Sequence, residues 1–221
     1  MVIDFHQIYW HEDQKKEMFP FAKPYLNETL TPFFENKVIH DVVWTTQSDR
    51  VGVCSWNLKN KMLTFNMPPR TELTEEMLYS EYDILSLTKN SRVHGMLESL
   101  EGWHKGSREI LKQICHAIGI KFPKECRYPI YQNAFVADST IYHLYVTEAL
   151  YPAMQLMEHD ERLKVLCWQD SQYYKLKNPG EDFAQRVKMF LGVDYCPLHP
   201  FLLERLFSVW INDKGFNVKY I

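Results

Sequence analysis

Val2-Ile3-Asp4-Phe5-His6-Gln7-Ile8-Tyr9-Trp10 opens the chain as an apolar, partly alternating run, the pattern of a first strand in a sheet. Two β-branched runs follow, Val38 to Trp44 and Arg50 to Trp56, and both read as strands. Lys61 to Asn66 is a weaker strand closed by Pro68-Pro69, Tyr82 to Leu87 a buried one, and Ile130 to Val136 a further one. Asp13 to Asn36, broken by Pro20, Pro24 and Pro32, reads as loop and short turns. The helical signals come between and after these runs. Thr71 to Ser80 is a short acidic helix, and Ser107 to Ile118 spaces Ile110, Ile114 and Ile118 along one face before Gly119. Asp138-Ser139-Thr140 caps a long helix running towards Met157, which Pro152 should kink. Phe183, Val187, Phe190 and Leu191 mark another helix, and Pro200 starts a last one striped by Leu203, Leu206, Phe207 and Trp210. Strands first and helices interleaved afterwards predict an α/β or mixed α+β class, and the expected architecture is a mainly parallel sheet flanked by helices near 107–118, 139–157 and 201–213.

The 221 residues suit one domain spanning 1–221, and 46% hydrophobic with 24% charged residues is ordinary globular composition. A net charge of -3 argues against a nucleic-acid partner, because neutralising phosphates needs a basic face. The opening residues lack a basic stretch followed by a long apolar run, so no signal peptide is expected, nor any transmembrane segment. Five scattered cysteines fit reduced thiols and a cytoplasmic location. Aromatic residues reach 14%; they pack cores first, but their flat faces also stack on sugars and bases.

Cys196-Pro197-Leu198-His199 has metal-ligand spacing, yet no second pair completes a zinc site. No nucleophile elbow, Walker loop or dinucleotide fingerprint is present. Three polar clusters remain. His6, Tyr9, Trp10 and His11 close the first strand, either as packing or as a wall for a planar base or sugar. Asp83 precedes a strand that Lys89, Asn90 and Arg92 follow, either a solvated turn or a pyrophosphate contact. His199, Glu204 and Arg205 lie in an otherwise apolar run, where the charges form a structural pair or a basic carboxylate near a cleft.

Tyr131-Gln132-Asn133-Ala134-Phe135-Val136-Ala137, continuing to Tyr145, resembles the "N-x-F-V-M-x-x-x-x-F-x-x-Y" stretch of small GT-A-like bacterial glycosyltransferases of capsule and surface-polysaccharide synthesis. Leu203 to Trp210 is similar to their "S-E-R-L-F-x-x-W" segment, and Glu81 to Leu87 to their "Y-D-Y-I-S-L" strand. The order of these segments matches and spans most of the chain. The resemblance implies a GT-A-like fold that moves a sugar from a nucleotide-sugar donor to a glycan acceptor in surface polysaccharide assembly. It places Asn133 in the pocket, makes Glu204 or Asp83 the catalytic base, and sets Lys89, Arg92 or Arg205 against the diphosphate. His6, Tyr9 and His199 join the substrate-binding residues. Manganese or magnesium is the expected cofactor of such enzymes, but the Asp-x-Asp that would hold it is absent, and Thr88-Lys89-Asn90-Ser91-Arg92 replaces the usual His-Tyr-Arg-Arg turn. A non-catalytic glycan- or partner-binding module on the same fold is the alternative. A polysaccharide hydrolase would need two carboxylates about 5–10 Å apart across a cleft.

Overall fold

A computed structural model describes residues 1–65, 72–88, 95–176 and 180–221. Among these residues six strands make one sheet: β1 (Ile3–Tyr9), β2 (Lys23–Leu26), β3 (Arg50–Ser55), β4 (Ile84–Ser86), β5 (Phe135–Asp138) and β6 (Val218–Tyr220). Their order is β2-β1-β3-β5-β4-β6. β1 pairs in parallel with β2 and β3, and β4 with β6, whereas β5 runs antiparallel to both β3 and β4. The sheet is therefore mixed, with β5 reversed against the other five. Strands from both ends of the sequence meet in it, as expected of an α/β chain.

Successive residues of each strand face opposite sides, and both sides are apolar, as a sheet covered on both faces requires. Ile8, Val51, Val53, Ile84, Phe135 and Ala137 face one core; Phe5, Cys54, Leu85, Ala134 and Val136 face the other. The first core is covered by α1 (Glu35–Thr45), with α3 (Met96–Trp103), α4 (Ser107–Ala117), α5 (Ser139–Tyr145), α6 (Tyr151–His159), α7 (Glu161–Cys167) and α10 (His199–Trp210). The second core is smaller and is closed by α2 (Leu58–Phe65) together with Phe19, Leu73 and Leu78 from short turns. Short α8 (Tyr173–Leu176) and α9 (Glu181–Leu191) precede α10. Much of the aromatic content is core: Phe135 stacks on Phe207 at 3.8 Å and on Tyr142 at 4.8 Å.

Several expectations change. Val38 to Trp44 is helix α1, not a strand. Val38, Ile39, Val42 and Val43 recur at helical spacing and are all buried, while Trp44 turns outward. Lys61 to Phe65 is likewise helical, part of α2, with Leu58 and Met62 one turn apart in the core. The proline-broken segment contains β2, an edge strand, where Pro24 costs the sheet no interior hydrogen bond. Between α5 and α6 the chain takes a π turn, Val146–Leu150, directly before Pro152. The wide turn lets the helix continue where a proline would otherwise break it. Asp138 does not cap α5 through its side chain; its carboxylate pairs instead with the buried Arg50 at 3.0 Å. No helix among the described residues is long and apolar enough to cross a membrane.

Candidate functional site

β1, β2, β3, β4 and β6 all end at one edge of the sheet, and β5 begins there. Open α/β sheets bind ligands beyond such carboxyl ends. The edge is bolted together by buried amides. The Gln7 side-chain amide donates to Ser55 O at 3.1 Å, and its oxygen accepts from Phe19 N at 2.7 Å. Asn133 Nδ2 donates to Asn36 Oδ1 at 3.3 Å, and Asn36 Nδ2 to Phe33 O at 3.1 Å. Ser208 of α10 accepts from Ile130 N at 2.8 Å, which ties the approach to β5 down onto the last helix.

The backbone is strained at the same place. Gln132 and Asn133 both sit at positive φ, 59° and 54°, and Phe34, just before α1, at 52°. Residues with a Cβ rarely adopt these angles and keep them only where the surroundings over-determine them, often at functional sites.

On this edge α10 presents Glu204 and Arg205. Arg205 Nη1 lies 2.6 Å from Glu204 Oε2, and the guanidinium sits 5.7 Å from the Tyr131 ring centre. Glu35 opens α1, and its Oε2 is 4.0 Å from Lys61 Nζ of α2. Tyr173 of α8 packs against Phe201 of α10, ring centres 5.3 Å apart. Burial first, then the charges of Glu204, Cys196 and Glu35, push its phenol up to about 12, so it stays a hydroxyl donor at neutral pH. His104, at the end of α3, stacks on Phe201 at 4.0 Å with Nδ1 2.7 Å from Ser171 O. A carbonyl only accepts, so Nδ1 carries the proton and Nε2 the lone pair. Burial lowers the His104 pKa, Ser171 and Glu204 oppose that, and Arg205 adds to it. Phe183 closes the rim, edge-on to Phe34, Tyr173 and Tyr174.

The residues expected from sequence divide. Glu204, Arg205 and Asn133 lie together at this edge. Asp83 lies at the opposite edge, before β4, where its carboxylate accepts from Asn217 N at 2.8 Å; it does not share a site with Glu204. His6 is in the middle of β1, on the face of Asp4, and burial lowers its pKa. Tyr9 ends β1 but is buried, with Lys15 Nζ 4.7 Å above its ring, so it offers no open wall. His199 is buried between Phe33 and Trp168, and burial brings its pKa down to about 4. Lys89 and Arg92, with Asn90, lie outside the described residues. Glu35, Lys61, His104 and Tyr173 were not singled out from sequence: each is a lone residue of its own segment, and no local motif joins them.

Among the described residues no three His, Cys, Asp or Glu side chains converge as a metal site would need. Among the described side chains at this edge, Glu35 and Glu204 each face a cation. Two open hollows of about 620 Å³ each lie elsewhere, one along Ile118, Pro152 and Leu156, the other along Gln113, Ile120 and Phe122. No family model, curated protein or solved structure matches the chain.

Proposed function

We propose that the protein is a glycosyltransferase of GT-A-like fold that moves a sugar from a nucleotide-sugar donor to a glycan acceptor in surface polysaccharide assembly. The observation that carries this reading is the Glu204–Arg205 pair, presented by α10 at the carboxyl edge of a sheet in which five strands run one way. A sheet of this kind, strained backbone at its ligand-binding edge, and converging charged and phenolic groups all support it. The donor diphosphate draws Arg205 away from Glu204 and receives its charge, as a leaving group of that kind requires. Glu204, released, takes the proton of the acceptor hydroxyl. The acceptor oxygen bonds to the anomeric carbon, the bond from that carbon to phosphate oxygen breaks, and its electron pair leaves with the nucleoside diphosphate. Asn133, bonded to Asn36, holds the chain just before β5 at this edge. Asp83, at the opposite edge of the sheet, has no part. Five buried thiols suit the cytoplasm, where such donors are made.

The ion pair itself favours a second reading, a non-catalytic glycan-binding module, because it already engages Glu204, the carboxylate assigned as base. Thermal-shift measurements with uridine, guanosine and thymidine diphosphates, with and without manganese, separate the two readings. One diphosphate should raise the melting temperature, since a ligand selective for the folded state stabilises it. No shift with any of them overturns the transferase reading in favour of the binding module.

A further inference from the structure

Lys61 differs from the other ion-paired lysines among the described residues. Its side chain is 17% exposed, whereas those of Lys15, Lys23, Lys37, Lys112, Lys121 and Lys214 are all at least 38% exposed. Its partner is also the most distant, Glu35 at 4.0 Å, beyond hydrogen-bond reach. An ammonium on a mostly covered stem, with no carboxylate within hydrogen-bond reach, is placed to take an anion. Glu35 does not depend on Lys61 in the same way. It is the first residue of α1, where unpaired backbone N–H groups favour a negative charge.

The position of Lys61 follows from the chain. β3 ends at Ser55, and Trp56 N donates to Ile8 O at 2.8 Å, extending the strand pairing to the carboxyl edge. Leu58 starts α2, and its burial together with Met62 anchors one face of that helix in the smaller core. Lys61 stands one turn in. It faces Glu35, whose neighbour Asn36 accepts from Asn133 Nδ2 just before β5, so the ammonium lies near the carboxyl edge. Arg205 of the other pair stands 5.7 Å from the ring centre of Tyr131, two residues before Asn133. The Lys61–Glu35 and Arg205–Glu204 pairs thus both stand near the segment from Tyr131 to Asn133 that leads into β5.

We propose that Lys61 is an anion-binding residue of this sheet edge, taking one phosphate of a diphosphate while Arg205 takes the other, and that Glu35 is the internal carboxylate exchanged for that phosphate. The assignment to a sugar donor rests on the transferase reading; the anion site does not. A compact ammonium on a flexible stem can follow a phosphate, and the stem keeps its packing on α2 when the head moves.

Titration calorimetry tests this with inorganic pyrophosphate, the three nucleoside diphosphates and the matching nucleosides, on the wild type, Lys61→Met, Lys61→Arg and Glu35→Gln. Lys61→Met should weaken pyrophosphate and diphosphate binding about tenfold to hundredfold, the worth of a charge-assisted hydrogen bond, and leave nucleoside binding unchanged. Lys61→Arg should recover most of the loss. Glu35→Gln should bind pyrophosphate at least as tightly as the wild type, because a competing carboxylate is gone. Wild-type affinity in a folded Lys61→Met variant overturns the proposal. So does a Glu35→Gln variant that melts early and binds as weakly as Lys61→Met, since the pair is then a structural bridge. Pyrophosphate binding that needs Lys61, without binding of any nucleotide, keeps the anion site and overturns the transferase reading. Nucleotide binding indifferent to Lys61 does the reverse, and a wild type that binds neither overturns both.

Discussion

Glu204 and Arg205 are consecutive on a helix, where side chains leave about 100° apart, yet their heads meet at 2.6 Å. The length of the arginine stem allows it, and the guanidinium also lies 5.7 Å from the Tyr131 ring centre. This geometry decides what Glu204→Gln should do. The amide keeps an oxygen for Arg205 and loses the ability to take a proton. Turnover of donor and acceptor should fall about 10²–10⁴-fold, the usual worth of a positioned base, while the melting temperature barely moves. A loss of about 3–5 kcal/mol in a denaturant titration of the same variant would show a buried structural bridge instead. At this scale the sequence made part of the site legible. A glutamate and an arginine inside an apolar run are conspicuous, and so is an asparagine before a strand. Lys61, Glu35, His104 and Tyr173 carry no such mark, because they come together only when α1, α2, α3 and α8 pack around one sheet edge.

Elements form where local preference and burial agree, and α1 shows which of the two wins when they differ. Its β-branched residues favour a strand by propensity, but their spacing aligns Val38, Ile39, Val42 and Val43 on one buried helical face. In β3 a different constraint operates. A Cβ on Gly52 would lie 2.6 Å from a Phe5 ring carbon on β1 and 2.8 Å from a Val136 methyl on β5. Gly52 therefore lets two large neighbours close over the central strand. Gly52→Ala should destabilise the protein by about 1–3 kcal/mol, the range for overpacking a full core, read as a lower denaturant midpoint at unchanged m. Unchanged stability would mean that Phe5 has room to retreat. β2 and β6 escaped the sequence reading for one reason: strands of three or four residues at sheet edges are too short to show alternation.

For the molecule as a whole, buried histidines set the response to acid. His199 has an ordinary pKa of 6.5, brought down to about 4 by burial, and burial also lowers His6 and His104. Below its ordinary pKa the unfolded chain binds protons that the folded one refuses. The associated stability is therefore whole above pH 6.5 and lost as pH falls towards 4, about 3 kcal/mol for His199 alone. Chemical denaturation between pH 7 and 4 should show this fall, and His199→Phe, placed between Phe33 and Trp168, should flatten it. An equal slope in the variant would assign the acid sensitivity to other groups. The same burial explains the division between what the amino-acid sequence determined and what the fold decided. Composition and the alternation of strand and helix patterns were enough for an α/β chain with a sheet covered on both faces, because those signals come from residues a few positions apart. Strand order, the reversal of β5, and the separation of Asp83 from Glu204 by the height of the sheet were decided only in tertiary structure. Those features depend on which distant segments bury one another, and no local spacing encodes that.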